Sequence, residues 1–442
     1  MKKLFLFVAT TLLFCACSSD DMIVTQNEKH ASNQLNTKNV QLSVNQAKTY
    51  AKLFYKGFAS SSEPKSGTRS IPQIEPSVGS VSYLIEGRDT LLYAINYANN
   101  KGYVLLSGVN NAFPILAHND EGNLDFQHLS KESPLYAAIE KYKQKAKSEL
   151  AKGTVAFNDY YNDWKDLGKE GYEYEVDLTN STPQLEARTR SRRRESSGKE
   201  TIYPHTGKAL NTWKQKGGYN FYAEHKYPIG CPAIAIGMLM YDTTNRLDGI
   251  PKQTKPSFSI FDSRDITGET RGTALAKNLR QIADSIPNYT FSSEGSGAEV
   301  PSILIGLHKL GYTKAECKDY DFEELYRNLT FEGFNYFGNK QKYHRGVLLC
   351  SAGYPAGHIW FCDGYYEQGY TVRKKFLFVK LKTWHEYEDC LYMNWGWGEE
   401  GGNGWYTADG YQWHSPETGN NNPYNIYTKM FVNLSTYELP HY

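Results

Sequence analysis

The sequence predicts an α+β protein made of a small N-terminal unit and a larger C-terminal unit. Three observations predict it. Helix-spaced apolar residues and short strand-like runs alternate through 41–160. A polar, arginine-rich stretch then interrupts the chain. Beyond Thr201, helix-length apolar segments come first and strand-like ones later, the order of an α+β fold and not of an alternating parallel sheet. With 442 residues, of which 22% are charged, the chain is long enough for separate cores. A formal net charge of +1 offers no general attraction to nucleic acid, so none is expected as a partner.

The first 17 residues read as an export signal. Lys2 and Lys3 precede an apolar run of 13 residues, Leu4 to Ala16. That run is shorter than the roughly 20 residues a spanning helix needs. It ends in Leu13-Phe14-Cys15-Ala16-Cys17, followed by Ser18-Ser19-Asp20-Asp21. This resembles a bacterial lipobox and predicts acylation of Cys17, anchoring the protein to outer-membrane lipid or the cell surface. Plain secretion is the alternative. Residues 18–40 are polar and read as a flexible tether.

The unit 41–160 follows. Ser43 is an expected N-cap for a helix that spaces Val44, Ala47, Tyr50, Ala51 and Phe54 on one face. Strands are predicted at 82–85, 91–97 and 102–107, the last two joined by an Asn99-Asn100-Lys101-Gly102 turn. A second helix is predicted over 133–152, with Leu135, Ala138, Ile139 and Tyr142 on one face. Residues 161–200 read as a linker carrying Arg188, Arg190, Arg192, Arg193 and Arg194. It serves either as a solvated spacer or as a cleavage segment.

In the C-terminal unit, 201–442, helices are predicted at 233–241, 274–286 and 300–310, with strands and turns from Arg345 to Leu434. Gly230-Cys231-Pro232 opens the first, which is apolar all round and therefore a buried central helix. Proline suits a first helical turn. A cysteine there faces unpaired N–H groups that favour a thiolate, although a buried inert thiol fits the same pattern. Gln215, upstream, carries an amide able to donate to an oxyanion. His358 opens an alternating strand, Gly357-His358-Ile359-Trp360-Phe361-Cys362-Asp363-Gly364. Asn394, in Met393-Asn394-Trp395-Gly396-Trp397-Gly398, is placed to accept the second N–H of His358, with Trp395 or Trp397 shielding the bond. His225 and His344 stand in polar, loop-like surroundings. Seven cysteines show no CxxC pair and no zinc-ligand spacing, so neither a metal nor a cofactor is expected. Loss of the signal and acylation of Cys17 would leave five, an odd number, hence at least one unpaired thiol.

Gln, Cys on a helix, His on a strand, then Asn-Trp is the chain order of papain-type proteases. With Trp213-Lys214-Gln215, Gly230-Cys231, Gly295-Ser296-Gly297-Ala298, Gly357-His358 and Asn394-Trp395-Gly396-Trp397-Gly398, the sequence resembles the streptopain-like peptidases of bacteria. The runs Leu92 to Tyr97, Gly102 to Ser107 and Phe113 to Asn123 resemble that family's propeptide. The resemblance implies a papain-like cysteine protease domain, its central helix packed on an antiparallel sheet, preceded by a small inhibitory α+β prodomain. It implies a zymogen acting on protein or peptide substrates, with Cys231, His358, Gln215, Asn394 and Trp395 at the catalytic site. Pro232 and Ile234 depart from the small and polar residues expected after the nucleophile, and 335–346 is longer than expected; both bear on substrate preference. Two other readings share these residues: an inactive surface lipoprotein that binds or inhibits, and an amidase or transpeptidase acting on cell-wall peptides.

Overall fold

Strict alternation of side chains builds the first part of the fold. In the computed structural model, residues 41–61, 77–110, 114–129, 134–152, 159–178, 199–204, 210–246, 274–334, 340–352, 357–398, 401–408 and 427–434 are described. Helix α1 (Val44–Ser61) leads into β1 (Val78–Glu86), β2 (Asp89–Tyr97), β3 (Tyr103–Ser107), β4 (Ile115–Asn119) and α2 (Pro134–Lys152). Tyr93, Ile95 and Tyr97 of β2, with Val104 and Leu106 of β3, face α1. Leu92, Ala94, Tyr103 and Leu105 face the opposite way, toward Leu135, Ile139 and Tyr142 of α2. The β2–β3 turn is the expected one: Asn99, Asn100 and Gly102 take φ of 62°, 57° and 84°.

Where the sequence suggested a linker from residue 161, the chain continues as α3 (Asp159–Trp164) and β5 (Tyr172–Leu178). The physical reason is side-chain pairing. Trp164 and Tyr174 stack and are buried with Trp384, and Asp163 and Asp166 bond Lys382 and Lys374, each at 2.6 Å. The arginines at 188–194 lie outside the described residues, as do the export signal and tether at 1–40.

The remaining elements are α4 (Cys231–Arg246), α5 (Ala274–Ser285), α6 (Val300–Lys309), β6 (Glu316–Asp319), α7 (Phe322–Leu329), β7 (Thr330–Phe334), β8 (Lys340–His344), β9 (Val347–Ala352), β10 (His358–Phe376), β11 (Val379–Asn394), β12 (Gly404–Thr407) and β13 (Tyr427–Val432). The three helices read from the sequence are present as α4, α5 and α6. Helix α7 was not read from the sequence. Its N-cap Asp321 accepts the Glu324 N–H at 2.7 Å.

A large antiparallel sheet runs in the order β1-β2-β3-β4-β12-β11-β10-β9-β13-β6, with β5 added to the far half of β10. It passes from the N-terminal region to the C-terminal one through β4 and β12, where Ala117 pairs with Tyr406 and His118 with Trp405. The core is shared in the same way: Leu135, Tyr142 and Leu105 lie in one cluster with Trp360, Met393, Trp395 and Tyr406. A second core surrounds α4, whose Ala233, Ile236, Met238 and Met240 are buried against Leu348, Ile359 and Phe361 of the sheet and Leu279 and Ile282 of α5. The chain is thus a mixed α and β fold with helices packed on one extended sheet.

Candidate active site

Three distant segments converge at the N-terminus of α4. Gly230, just before it, has φ of 93°, and a side chain there would collide with Tyr289 Oη and the Ser296 carbonyl. Only glycine satisfies both demands. Cys231 follows as the first residue of the helix, half-buried, with Pro232 in the first turn. The Tyr289 hydroxyl donates to the Ile229 carbonyl at 2.6 Å, and Thr290 and Gly297 exchange backbone hydrogen bonds at 2.9 and 3.0 Å. These contacts clamp the Gly295-Ser296-Gly297 loop beside the cysteine.

Gln215 is half-buried, and its backbone carbonyl accepts the Ile229 N–H at 2.9 Å, two residues before Cys231. On its other side, the Gly398 N–H bonds the Trp213 carbonyl at 2.8 Å, and Lys214 bridges to Trp397. The glutamine segment is therefore stitched to both the cysteine segment and the Asn-Trp-Gly-Trp-Gly segment.

His358 begins β10 and is buried. The Ile359 backbone, one residue on, hydrogen-bonds the Cys231 thiol, so sulfur and imidazole stand at the same end of the same strand. His358 Nε2 bonds the Trp395 carbonyl at 3.0 Å. The Trp360 ring lies nearly parallel to the imidazole, at 9° and 6.2 Å, and Trp395 packs on Trp360 at 5.0 Å. Trp395 is anchored in turn: its backbone N–H donates to Asn403 Oδ1 at 2.8 Å and its indole to the Gly402 carbonyl at 3.2 Å.

This geometry corrects the expectation for Asn394. Its Oδ1 accepts the Gly396 N–H at 3.1 Å and its amide reaches Asn211 Oδ1 at 3.4 Å. The register explains why. Asn394 pairs with Phe361, three residues inward from His358, and only after the chain turns does a carbonyl, that of Trp395, come level with the imidazole. Trp395 therefore supports the histidine through its backbone as well as through its ring.

Burial governs the electrostatics. It pushes the Cys231 thiol up to about 11, with the Ile359 and Cys231 backbone N–H groups opposing the rise. It lowers His358 to about 4, with the Trp395 carbonyl opposing the fall. The helix N-terminus was expected to favour a thiolate; here desolvation outweighs it, and both groups rest neutral. The two side chains share no hydrogen bond in this state.

The N-terminal region presses on the support of this site. Leu135, in the first turn of α2, lies so close over Gly402 that any side chain there would strike it. The Tyr103 hydroxyl donates to the same Gly402 carbonyl at 3.3 Å, and His118 Nε2 bonds the Tyr366 hydroxyl at 2.6 Å. The chain of contacts runs Leu135, Gly402, Trp395, His358.

Sequence reasoning missed Asn211, Tyr289, Trp360 and Asn403 as parts of the site. Asn211 gathers Tyr392, Asn394 and Asn403. An asparagine in a polar loop gave no signal, whereas Asn403 lies only five residues beyond the Asn394-Trp395-Gly396-Trp397-Gly398 run. His225 lies on the surface in a left-handed turn. Among the described residues, no disulfide joins Cys231, Cys317, Cys350, Cys362 or Cys390. Among the described residues, no group of three or more His, Cys, Asp or Glu is arranged to hold a metal ion.

Comparison with known proteins bears on the N-terminal region first. The profile of the Spi protease inhibitor family matches residues 39–146, which take in α1, β1–β4 and most of α2. The match relates this region to streptopain-type prodomains and inhibitors; residues 147–442 lie outside it. No curated protein matches the chain. Among solved structures, a fragment of Prevotella intermedia prointerpain A carrying a cysteine-to-alanine mutation aligns at 16% identity with a TM-score of 0.45. The alignment covers 80% of this chain and 98% of that one.

Proposed function

We propose that the chain is a cysteine endopeptidase of papain-like build, made as a zymogen. In this reading 41–160 is the inhibitory prodomain and 201–442 the catalytic domain. One observation carries it: the Cys231 sulfur, at the start of a buried helix, sits against the Ile359 backbone, one residue past a histidine held from behind by the Trp395 carbonyl. The inhibitor-type family match over 39–146 supports the prodomain assignment. The neutral thiol and imidazole fit a latent form.

On activation the Cys231 proton passes to His358. The sulfur attacks a peptide carbonyl, forming a C–S bond, while the Cys231 backbone N–H and the Gln215 amide hold the oxyanion. His358 returns the proton to the departing amine as the C–N bond breaks, leaving a thioester. Water then adds, giving its proton to His358, and the C–S bond breaks to release the acid and restore the thiol. The Leu4–Ala16 run and Cys17 support export and lipid anchoring at the outer membrane or cell surface, with later release of the mature enzyme.

The test is the purified precursor with Cys231→Ala. It is expected to fold, remain unprocessed and hydrolyse no denatured protein, whereas the native precursor processes itself and then hydrolyses it. Processing of the variant at an unchanged rate would refute the reading. A second reading, an inactive lipoprotein that binds or inhibits proteases, is favoured by the inhibitor-type match and by the missing Cys–His hydrogen bond. A thiol probe that labels Cys231 stoichiometrically only after cleavage within 179–198 separates the two in favour of the enzyme.

A further inference from the structure

The β10–β11 hairpin ends in an apolar tip that the proposed chemistry does not use. Phe376 pairs with Val379 across a two-residue turn formed by Leu377 and Phe378. Phe378 is 85% exposed, Val379 63% and Leu377 62%. A register shift between Lys374 and Lys375 leaves Leu381 outside the ladder pairs, and it too is exposed.

The backbone makes this tip more unusual. Leu377 and Phe378 take φ of 44° and 70°, the left-handed region. Two-residue hairpin turns of this kind favour Asn-Gly, because bulky side chains are strained there. Leucine and phenylalanine are poor choices for the turn and good ones only for what their side chains touch. Among the described residues nothing covers them.

Behind the apex the charges are mostly spoken for: Lys374 pairs with Asp166, Lys382 with Asp163 and Lys375 with Glu175. Lys380 stands exposed between Val379 and Leu381. The apex thus carries hydrocarbon with one cationic stem beside it, the distribution that seats a hairpin at a headgroup layer while its lysine reaches a phosphate. The exposed apolar area is on the order of 500 Å². That falls short of the roughly 800 Å² per partner of a stable protein interface, so a second copy or a protein partner fits poorly.

We infer that residues 376–381 form a membrane-contacting tip that dips into the headgroup region of a phospholipid bilayer. The experiment is amine acetylation of the full chain with and without phosphatidylethanolamine/phosphatidylglycerol vesicles, read residue by residue by mass spectrometry. Attachment to vesicles through the N-terminal apolar run is the same for the native chain and the double variant, so the difference between those two isolates the hairpin tip. Vesicles are expected to slow acetylation of Lys380 about fivefold or more while leaving exposed Lys277 on α5 unchanged. The double variant Leu377→Asn, Phe378→Gly installs the preferred turn, so its melting temperature should hold or rise while the vesicle protection disappears. Equal labelling of Lys380 with and without vesicles, or protection that persists in the double variant, overturns the inference. So does protection without vesicles that grows with protein concentration, which would mark a second copy as the occupant.

Discussion

The Trp395 carbonyl stands 3.0 Å from His358 Nε2 and fixes one edge of the imidazole. A backbone acceptor is fixed by whatever fixes the chain, and here that is Asn403, whose side chain holds the Trp395 N–H at 2.8 Å. In the proposed enzyme the asparagine that matters most to the histidine is therefore Asn403, acting as a positioning residue. Asn403→Ala should lower kcat about 10- to 100-fold, the usual penalty for losing a group that orients a functional histidine. Asn394→Ala should cost less than Asn403→Ala. Steady-state kinetics of the two processed variants decide this, with KM little changed in both. A larger loss for Asn394→Ala would restore the side-chain triad.

Acid should loosen the fold. His118 and His358 are held neutral by burial, at about 3 and about 4, while the unfolded chain takes up protons at the ordinary histidine value of 6.5. Between those limits the unfolded state binds more protons, so stability is full above 6.5 and falls as pH drops toward 4. Each histidine costs on the order of 3 kcal/mol of stability by the time pH 4 is reached. His118 bonds Tyr366 where the N-terminal strand β4 meets the rest of the sheet, so its share falls on that junction. Melting temperature measured from pH 7 to pH 4 should drop. His118→Gln, which retains a side-chain amide for Tyr366, should show a shallower slope, and an identical slope would rule His118 out.

Much of the fold and of the site was legible because the signals were local. The uninterrupted apolar run 233–240 announced α4, and the Asn99-Asn100-Lys101-Gly102 turn announced the β2–β3 hairpin. What escaped depended on partners far along the chain. Tyr172-Glu173-Tyr174-Glu175-Val176 alternates as a strand should, yet its charges read as linker until Lys374, Lys375 and Lys382 are seen to meet this segment and α3. The helix N-terminus alone favours a thiolate at Cys231. Burial, a property of the whole fold, reverses that balance here. The orienting acceptor on His358 turned on which atom after Asn394 comes level with the imidazole, a matter of register and not of residue type.

Gly230 should be the least replaceable residue around the cysteine. Its φ of 93° and the crowding from Tyr289 and Ser296 act together. Gly230→Ala should destabilise the protein by about 2 kcal/mol or more through backbone strain and collision. Tyr289→Phe removes one hydrogen bond, to the Ile229 carbonyl, and should cost about 1 kcal/mol. Denaturant unfolding of both variants measures the difference. Equal costs would mean the loop yields and the glycine is not required there.

The contact of Leu135 with Gly402 predicts how the N-terminal region restrains the site. Leu135 is buried in the shared core and bears on the loop whose Gly402 and Asn403 hold Trp395. Leu135→Ala should therefore lower stability by about 2–4 kcal/mol, the range for buried leucines, and also hasten conversion of the precursor. Leu84→Ala provides the comparison: it is buried in the same cluster, but on β1 at the outer edge of the sheet. It should lower stability similarly while leaving the conversion rate near that of the native chain. Gel time courses of processing, paired with unfolding curves, give both quantities. Equal acceleration by the two substitutions would mean that conversion follows overall stability, and that pressure on Gly402 has no special part in the latency of the proposed enzyme.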